Sequence, residues 1–262
     1  MRITSLIVSF FLLAVVPAHG IAQDTTGQAI ETIPQNSPAQ QIPPASDIPP
    51  HTNLVDRFLK DQGHIWTSPL HIKRGDVKWL LPLGAGAAAL LATDQKLSDD
   101  VRSNNSLRSP SKFLSNFGGT LPMAAASGAL LGIGKLTGNE KAAKTGKLAT
   151  EAVLHSALIV QGLKLAFERE RPDKIGGQGS FWGGGQSFPS GHAATTFAFA
   201  SVVAHQYSNK PLVVIGAYGL ATSVSLSRIG GLNHFPSDVL IGAAVGELIG
   251  RFVLHRHKDE LR

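Results

Sequence analysis

Apolar residues gather in stretches separated by polar joints, roughly Val77–Thr93, Gly118–Gly134, Leu148–Phe167, Ala193–Ala204, Pro211–Leu226 and Val239–Leu254. Each stretch is longer than an ordinary strand, and strict apolar/polar alternation is scarce. The pattern therefore predicts an all-α fold, a helical bundle of about six core helices. Upstream, Leu54, Val55, Phe58 and Leu59 share one helical face, and Gly63 marks an expected stop. Thr67-Ser68-Pro69 predicts a turn or cap.

The region before Asn53 has a different character. Residues 1–22 carry a secretory-signal pattern: Arg2, an apolar run from Leu6 to Val16 ended by Pro17, then small residues at Ala18, Gly20 and Ala22. Residues 23–52 are rich in Gln, Pro, Thr and Ser and predict a disordered linker with little to bury. Residues 53–262 are left as the helical domain.

The chain has no cysteine, which excludes disulfides and thiolate chemistry. Lys+Arg 24 against Asp+Glu 18 gives a net charge of +6. Several cations flank the candidate chemistry below, which favours an anionic substrate. No basic run interleaved with aromatics points to nucleic acid.

The apolar runs reach only about 15–17 residues, short of the ~20 needed to cross a bilayer. A cleaved signal would also place Asn53 outside, so that a chain of spans would put the chemistry-bearing joints in the cytoplasm. Lys135, Lys141, Lys144 and Lys147 would then lie outside, against the positive-inside tendency. The expectation is a soluble or membrane-associated bundle in the periplasm or cell envelope. An integral inner-membrane protein is the alternative.

Three stretches carry the candidate chemistry. Phe188-Pro189-Ser190-Gly191-His192 follows a glycine-rich loop, Gly176–Gln186, and opens an Ala-rich run. Ser190 is a preferred N-cap, so the stretch predicts a helix N-terminus whose free N–H groups suit a phosphate. His192, in the first turn, can pass a proton. Lys164 and Arg171 are two helical turns apart, which predicts two cations on one face, with Pro172 as the stop. In the joint before the last segment, Arg228 adds a cation, and His234 and Asp238 flank Pro236, a residue suited to the first helical position. A carboxylate beside a histidine fixes its tautomer by accepting one N–H and leaves the other nitrogen as a base or nucleophile. Taken singly, each stretch also suits ordinary structure: a capped helix, a basic helix end, an acidic first turn.

The third segment also carries Glu151 and His155. His255 and His257 flank Arg256 and suit a basic helix end better than a metal site. Near the candidate site there is no acidic cluster of the kind that holds Mg²⁺ or two metals, so no metal and no cofactor is expected there.

Lys164-x6-Arg171-Pro172, Pro189-Ser190-Gly191-His192 and Ser227-Arg228-x5-His234-x3-Asp238 together resemble the signature of the type 2 phosphatidic acid phosphatase and vanadium haloperoxidase superfamily. The resemblance covers about Val77–Leu254. It implies a phosphatase in which His234 is the nucleophile, Asp238 orients it, and His192 is the general acid. Lys164, Arg171, Arg228, Ser190 and the Gly191 amide would hold the phosphate oxygens. The implied substrate is a phosphate monoester: a lipid phosphate, an isoprenoid diphosphate or a soluble ester. A vanadate-dependent haloperoxidase would use the same cradle. A non-catalytic lipid-binding bundle of the envelope would not need the full His-Asp-cation set.

Overall fold

The computed structural model describes residues 54–104, 106, 108–174 and 178–257. The expected signal at 1–22 and linker at 23–52 lie outside these, as do Gly176 and Gly177 of the glycine-rich loop. Among the described residues the elements are helical: α1 (Leu54–Thr67), α2 (Val77–Ser103), α3 (Arg108–Ser115), α4 (Thr120–Leu136), α5 (Glu140–Phe167), α6 (Gly191–Gln206), α7 (Pro211–Gly230) and α8 (Pro236–Arg256), with two short 3₁₀ turns after α1. The all-α expectation holds.

The chain divides into two compact units, residues 1–64 and 65–262. Within the first, the described part is the start of α1, in which Asp61 is buried. The helix continues through Gly63 to Thr67. One glycine in a helix costs only about 1 kcal/mol and does not stop it.

In the second unit, α6 is the centre. It packs on α5, α7 and α8, and α5 packs in turn on α4. Small residues set how closely these helices meet. Gly242, Gly246 and Gly250 recur every four residues along α8 and so share one face. A Cβ on Gly242 would stand 2.4 Å from the Ser190 carbonyl oxygen, and one on Gly246 would stand 2.1 Å from that of Ala194. The stripe therefore brings the backbones of α8 and α6 into direct contact. Ser190 N–H also donates to the Asp238 carbonyl at 2.9 Å, which fixes the N-terminal ends of both helices side by side. Away from those ends, Leu148, Ala149, Ala152, Ala198, Val202, Val253 and Leu254 form the apolar core.

The helices outrun their apolar runs. α2 extends ten residues beyond Thr93, because its continuation turns buried polar residues, Asp94 and Ser98, toward the interior. α3 lies in the polar joint between the first two apolar runs; it is eight residues long and rich in serine. By length and composition, α7 qualifies to cross a membrane, and α3 with α4 would count as a second span if that pair, bent by 47°, is taken as one. Leu121, Leu136, Leu212 and Ile215 on these helices are exposed.

Candidate active site

α6 begins where the sequence predicted. Ser190 is its N-cap, with Oγ accepting from the Ala193 N–H at 3.5 Å. Thr195 ties the helix down: its Oγ1 donates to the Gly118 carbonyl at 2.9 Å. That turn, between α3 and α4, lies against His192. A Cβ on Gly119 would stand 3.7 Å from its Nε2.

α5 does not end as expected. The helix stops at Phe167, five residues before Pro172, because Glu168 takes the left-handed conformation with φ 41°. Arg171 thus lies beyond the helix and shares no helical face with Lys164. The two cations still converge: Arg171 and Arg228 are both close enough to depress Lys164. Lys164 Nζ would stand 3.9 Å from a Cβ on Gly191, so the ammonium lies over the start of α6.

The chain after Glu168 folds back on itself. Trp182 N–H donates to the Phe167 carbonyl and Ser187 N–H to that of Arg169, at 2.9 and 2.8 Å. Gly185 sits so close that a Cβ would stand 2.2 Å from the Arg169 carbonyl oxygen, and only glycine fits there. Residues 178–187 thus form a packed strap. Phe167, Phe181 and Phe188 meet edge to face beneath it, and Trp182 stays exposed on top.

Arg228, at the end of α7, is buried; its Nη1 donates to Ser115 Oγ at the end of α3. Among the described residues its buried Nε has no hydrogen-bond partner. An orphaned guanidinium donor is costly unless an acceptor arrives.

His234 and Asp238 are both buried, at 2% and 0% exposure. The contact expected between them is not direct. His234 Nδ1 lies 2.7 Å from the Ser187 carbonyl and 3.8 Å from Asp238 Oδ2, beyond hydrogen-bond range. A carbonyl only accepts, so Nδ1 carries the proton and Nε2 keeps its lone pair. Asp238 acts one step back: its Oδ2 accepts from Ser187 Oγ at 2.5 Å, the same residue whose carbonyl holds the ring, and from the Phe235 N–H at 2.9 Å.

Three participants were not singled out from the sequence. Ser187 is one. Arg169 is the second: Nη1 lies 2.5 Å from Asp238 Oδ1 and 2.8 Å from Ser237 Oγ, Nε donates to the Gly179 carbonyl at 3.0 Å, and Phe235 and Phe181 flank the guanidinium. Asp94, from α2, is the third. It accepts from Arg169 Nη2 at 2.8 Å, from the Ser237 N–H at 3.0 Å and from the Ser237 hydroxyl.

The charges follow from this packing. Burial and the neighbouring Arg171 and Arg228 push Lys164 down to about 8. Burial, then Arg228, His234, Lys164 and Arg171, push His192 down to about 3. Burial also lowers His234, against the pull of Asp238. Burial would raise Asp238, but His234, Arg169 and Ser187 outweigh it and hold the carboxyl below its ordinary value. The result is a cluster of cations with two uncharged imidazoles at the shared end of α6 and α8. It suits a multiply charged oxyanion.

Comparison with known proteins places this arrangement in a wider set. The PAP2 superfamily model matches residues 147–262. A lipid A 1-phosphatase of Porphyromonas gingivalis is 38% identical over 109 residues, covering 40% of this chain and 23% of that protein. One from Rhizobium etli is 33% identical over 101 residues, covering 36% and 42%. A decaprenylphosphoryl-5-phosphoribose phosphatase of Mycobacterium tuberculosis is 40% identical over 67 residues, covering 26% and 35%. The chain thus spans less than half the length of each of these relatives. Among solved structures, a transmembrane PAP2 type phosphatidylglycerolphosphate phosphatase from Bacillus subtilis shares the fold, with a TM-score of 0.51 and 23% identity over 68% of this chain and 96% of that one.

Proposed function

Residues 147–262 are a domain of the PAP2 superfamily, and from that premise we propose that the protein is a phosphatase that transfers the phosphoryl group of a phosphate ester first to His234 and then to water. The observation that carries this is the bond from His234 Nδ1–H to the Ser187 carbonyl. It leaves Nε2 unprotonated and nucleophilic within the cation cluster.

In the first half, the Nε2 lone pair forms a bond to phosphorus while the bond to the leaving oxygen breaks. The leaving oxygen takes a proton from His192. In the second half, a water gives a proton to His192 and its oxygen attacks phosphorus, and the P–N electron pair returns to Nε2. Lys164, Arg171, Arg228, the Ser190 hydroxyl and the Gly191 amide offset the charge on the three remaining oxygens. Such preorganised charge is where phosphoryl-transfer catalysis chiefly lies. His192 must be protonated in the first half, although burial and the cations disfavour this. The negative charge of a bound phosphate opposes those cations, so the proton is favoured when substrate binds.

The substrate class we propose is a lipid phosphate of the cell envelope. The relatives' names point to lipid-linked phosphates. In addition, Trp182, whose indole N–H donates to the Ala166 carbonyl, and Leu165, both by the end of α5, are apolar side chains left 73% and 63% exposed. A signal-directed envelope location agrees with this.

The test is phosphate release from an aryl phosphate and from a vesicle-borne lipid phosphate, in chelator, by the full chain and by His234→Ala. Acid-labile, alkali-stable label should appear on the wild-type chain during turnover. The variant should lose both label and turnover. Turnover that persists in folded His234→Ala would exclude this mechanism.

A further inference from the structure

One glycine beside the cradle is not accounted for by the fold. Gly118 and Gly119 close the turn between α3 and α4, and both lie against the His192 ring. Packing requires the first: a Cβ on Gly118 would stand 2.0 Å from Val224 Cγ1 and 3.3 Å from His192 Cδ2. The second is different. Gly119 has φ −68° and ψ 164°, an extended conformation open to any residue. A Cβ there would find its three nearest neighbours, Pro122 Cδ, His192 Nε2 and Pro122 Cγ, at 3.4, 3.7 and 3.9 Å, all ordinary contact distances. Gly119 is also the N-cap of α4, where serine or aspartate would hold the first turn better. Conformation, packing and capping all admit a side chain. What the glycine preserves is room beside His192 Nε2.

We propose that Gly119 shapes the subsite for the leaving group, so that the alcohol side of the ester departs over the α3–α4 turn. This rests on the reading of His192 as the acid for the leaving oxygen. Such an acid works at about 2.6–3.2 Å from that oxygen, which puts the first carbon of the leaving group roughly 3.5–4 Å from Nε2. A Cβ at position 119 would occupy the same shell, at 3.7 Å. The turn is held against retreat at two points. Arg228 Nη1 donates to Ser115 Oγ, and Thr195 Oγ1 donates to the Gly118 carbonyl at 2.9 Å. Bulk added at 119 therefore falls on the substrate. A primary ester carries one further carbon on its first carbon and a secondary ester carries two, so the glycine matters more to the secondary ester. The turn lies outside residues 147–262, so the subsite is built by a part of the chain beyond the matched domain.

The experiment compares the full chain with Gly119→Ala and Gly119→Ser. The substrates are propyl phosphate and isopropyl phosphate, which differ in branching at the first carbon. Inhibition by inorganic phosphate, which has no carbon, is measured beside them. Serine keeps a preferred N-cap, so a loss shared by both variants is not a capping effect. Both variants should retain the wild-type helical circular dichroism. Each should lose at least about tenfold in kcat/KM on isopropyl phosphate, the scale of one misplaced methylene, and clearly less on propyl phosphate. Inhibition by phosphate should change by less than about twofold, because the contacts to the phosphoryl oxygens are untouched. Equal losses on the two esters, no loss on either, or a loss of phosphate affinity as large as the loss of turnover would overturn the proposal and leave the phosphatase reading standing. A folded wild-type chain that hydrolyses neither ester would also overturn it, and the vesicle-borne lipid phosphate then decides the phosphatase reading separately.

Discussion

Arg169 Nη1 lies 2.5 Å from Asp238 Oδ1, with both side chains withdrawn from solvent. The same guanidinium reaches Asp94 with its other terminal nitrogen at 2.8 Å. One cation therefore ties α2 to the carboxylate behind His234. Removing it strands two buried carboxylates, and breaking a buried pair from one side costs about 3–5 kcal/mol. Arg169→Met should lower unfolding stability by that amount in urea denaturation. Arg169→Lys should recover only part of it, because a single ammonium cannot reach Asp94, Asp238, Ser237 and the Gly179 carbonyl together. A loss within 1 kcal/mol for Arg169→Met would show that the network contributes little.

This network also marks where sequence reading stopped. Ser190, Arg228, His234 and Asp238 were legible because their chemistry lies in the side chain and their spacing is short. Ser187 acts on His234 through a backbone carbonyl, which every residue has, so nothing in its identity announces it. Arg169 sits among Glu168, Glu170 and Arg171, and a run of charges gives no sign of which one turns inward. Asp94 lies just past an apolar run, far upstream, and only the folded chain brings it to Ser237. The expected shared face for Lys164 and Arg171 failed for a local reason: the chain turns left-handed at Glu168 and delivers Arg171 from a loop. The bundle itself was legible from its apolar runs. The lengths of α2 and α5 were not, because helices propagate through polar residues once packing has fixed one face.

The α6–α8 contact predicts a contrast between glycines. Gly242→Ala would drive a methyl against the Ser190 carbonyl, a backbone atom with no rotamer to change. We expect about 1–3 kcal/mol of destabilisation. A fall in kcat/KM should accompany it, because Ser190 and His192 would move away from His234. Gly216→Ala, in α7 with nothing within 4 Å of the new methyl, should be neutral or stabilise by up to about 1 kcal/mol. Thermal melts of the two variants, with kinetics on the folded forms, check both. Equal effects would mean that the close approach is not tight in solution.

Lys164 sets a pH limit. It is a cation below its pKa of about 8 and is neutral above it, so its hold on a phosphate is present at low pH and lost as pH rises through that value. Because kcat/KM reports the free enzyme, it should fall more steeply above about pH 8, on top of the decline that the neutral His192 of the free enzyme already imposes. Lys164→Arg should move that fall upward, because a guanidinium keeps its charge. A wild-type profile flat to pH 10 would remove Lys164 from the phosphate contacts.

His192 can be separated from the cations by choice of leaving group. An acid that protonates the departing oxygen matters most when that oxygen is strongly basic, as in an alkyl phosphate. It matters least when the departing group is a nitrophenolate, which is stable without a proton. His192→Ala should therefore lose about 10²–10⁴-fold in rate on an alkyl phosphate and much less on nitrophenyl phosphate. If His192 served mainly to shape the cradle, both substrates would lose alike. The position of His192 makes the distinction sharp. Burial, and after it the surrounding cations, hold the ring neutral down to about pH 3, so it adds little positive charge of its own to the binding of phosphate. Its contribution must then lie in the proton it carries once an anion is bound, and the ratio of the two losses measures that contribution directly.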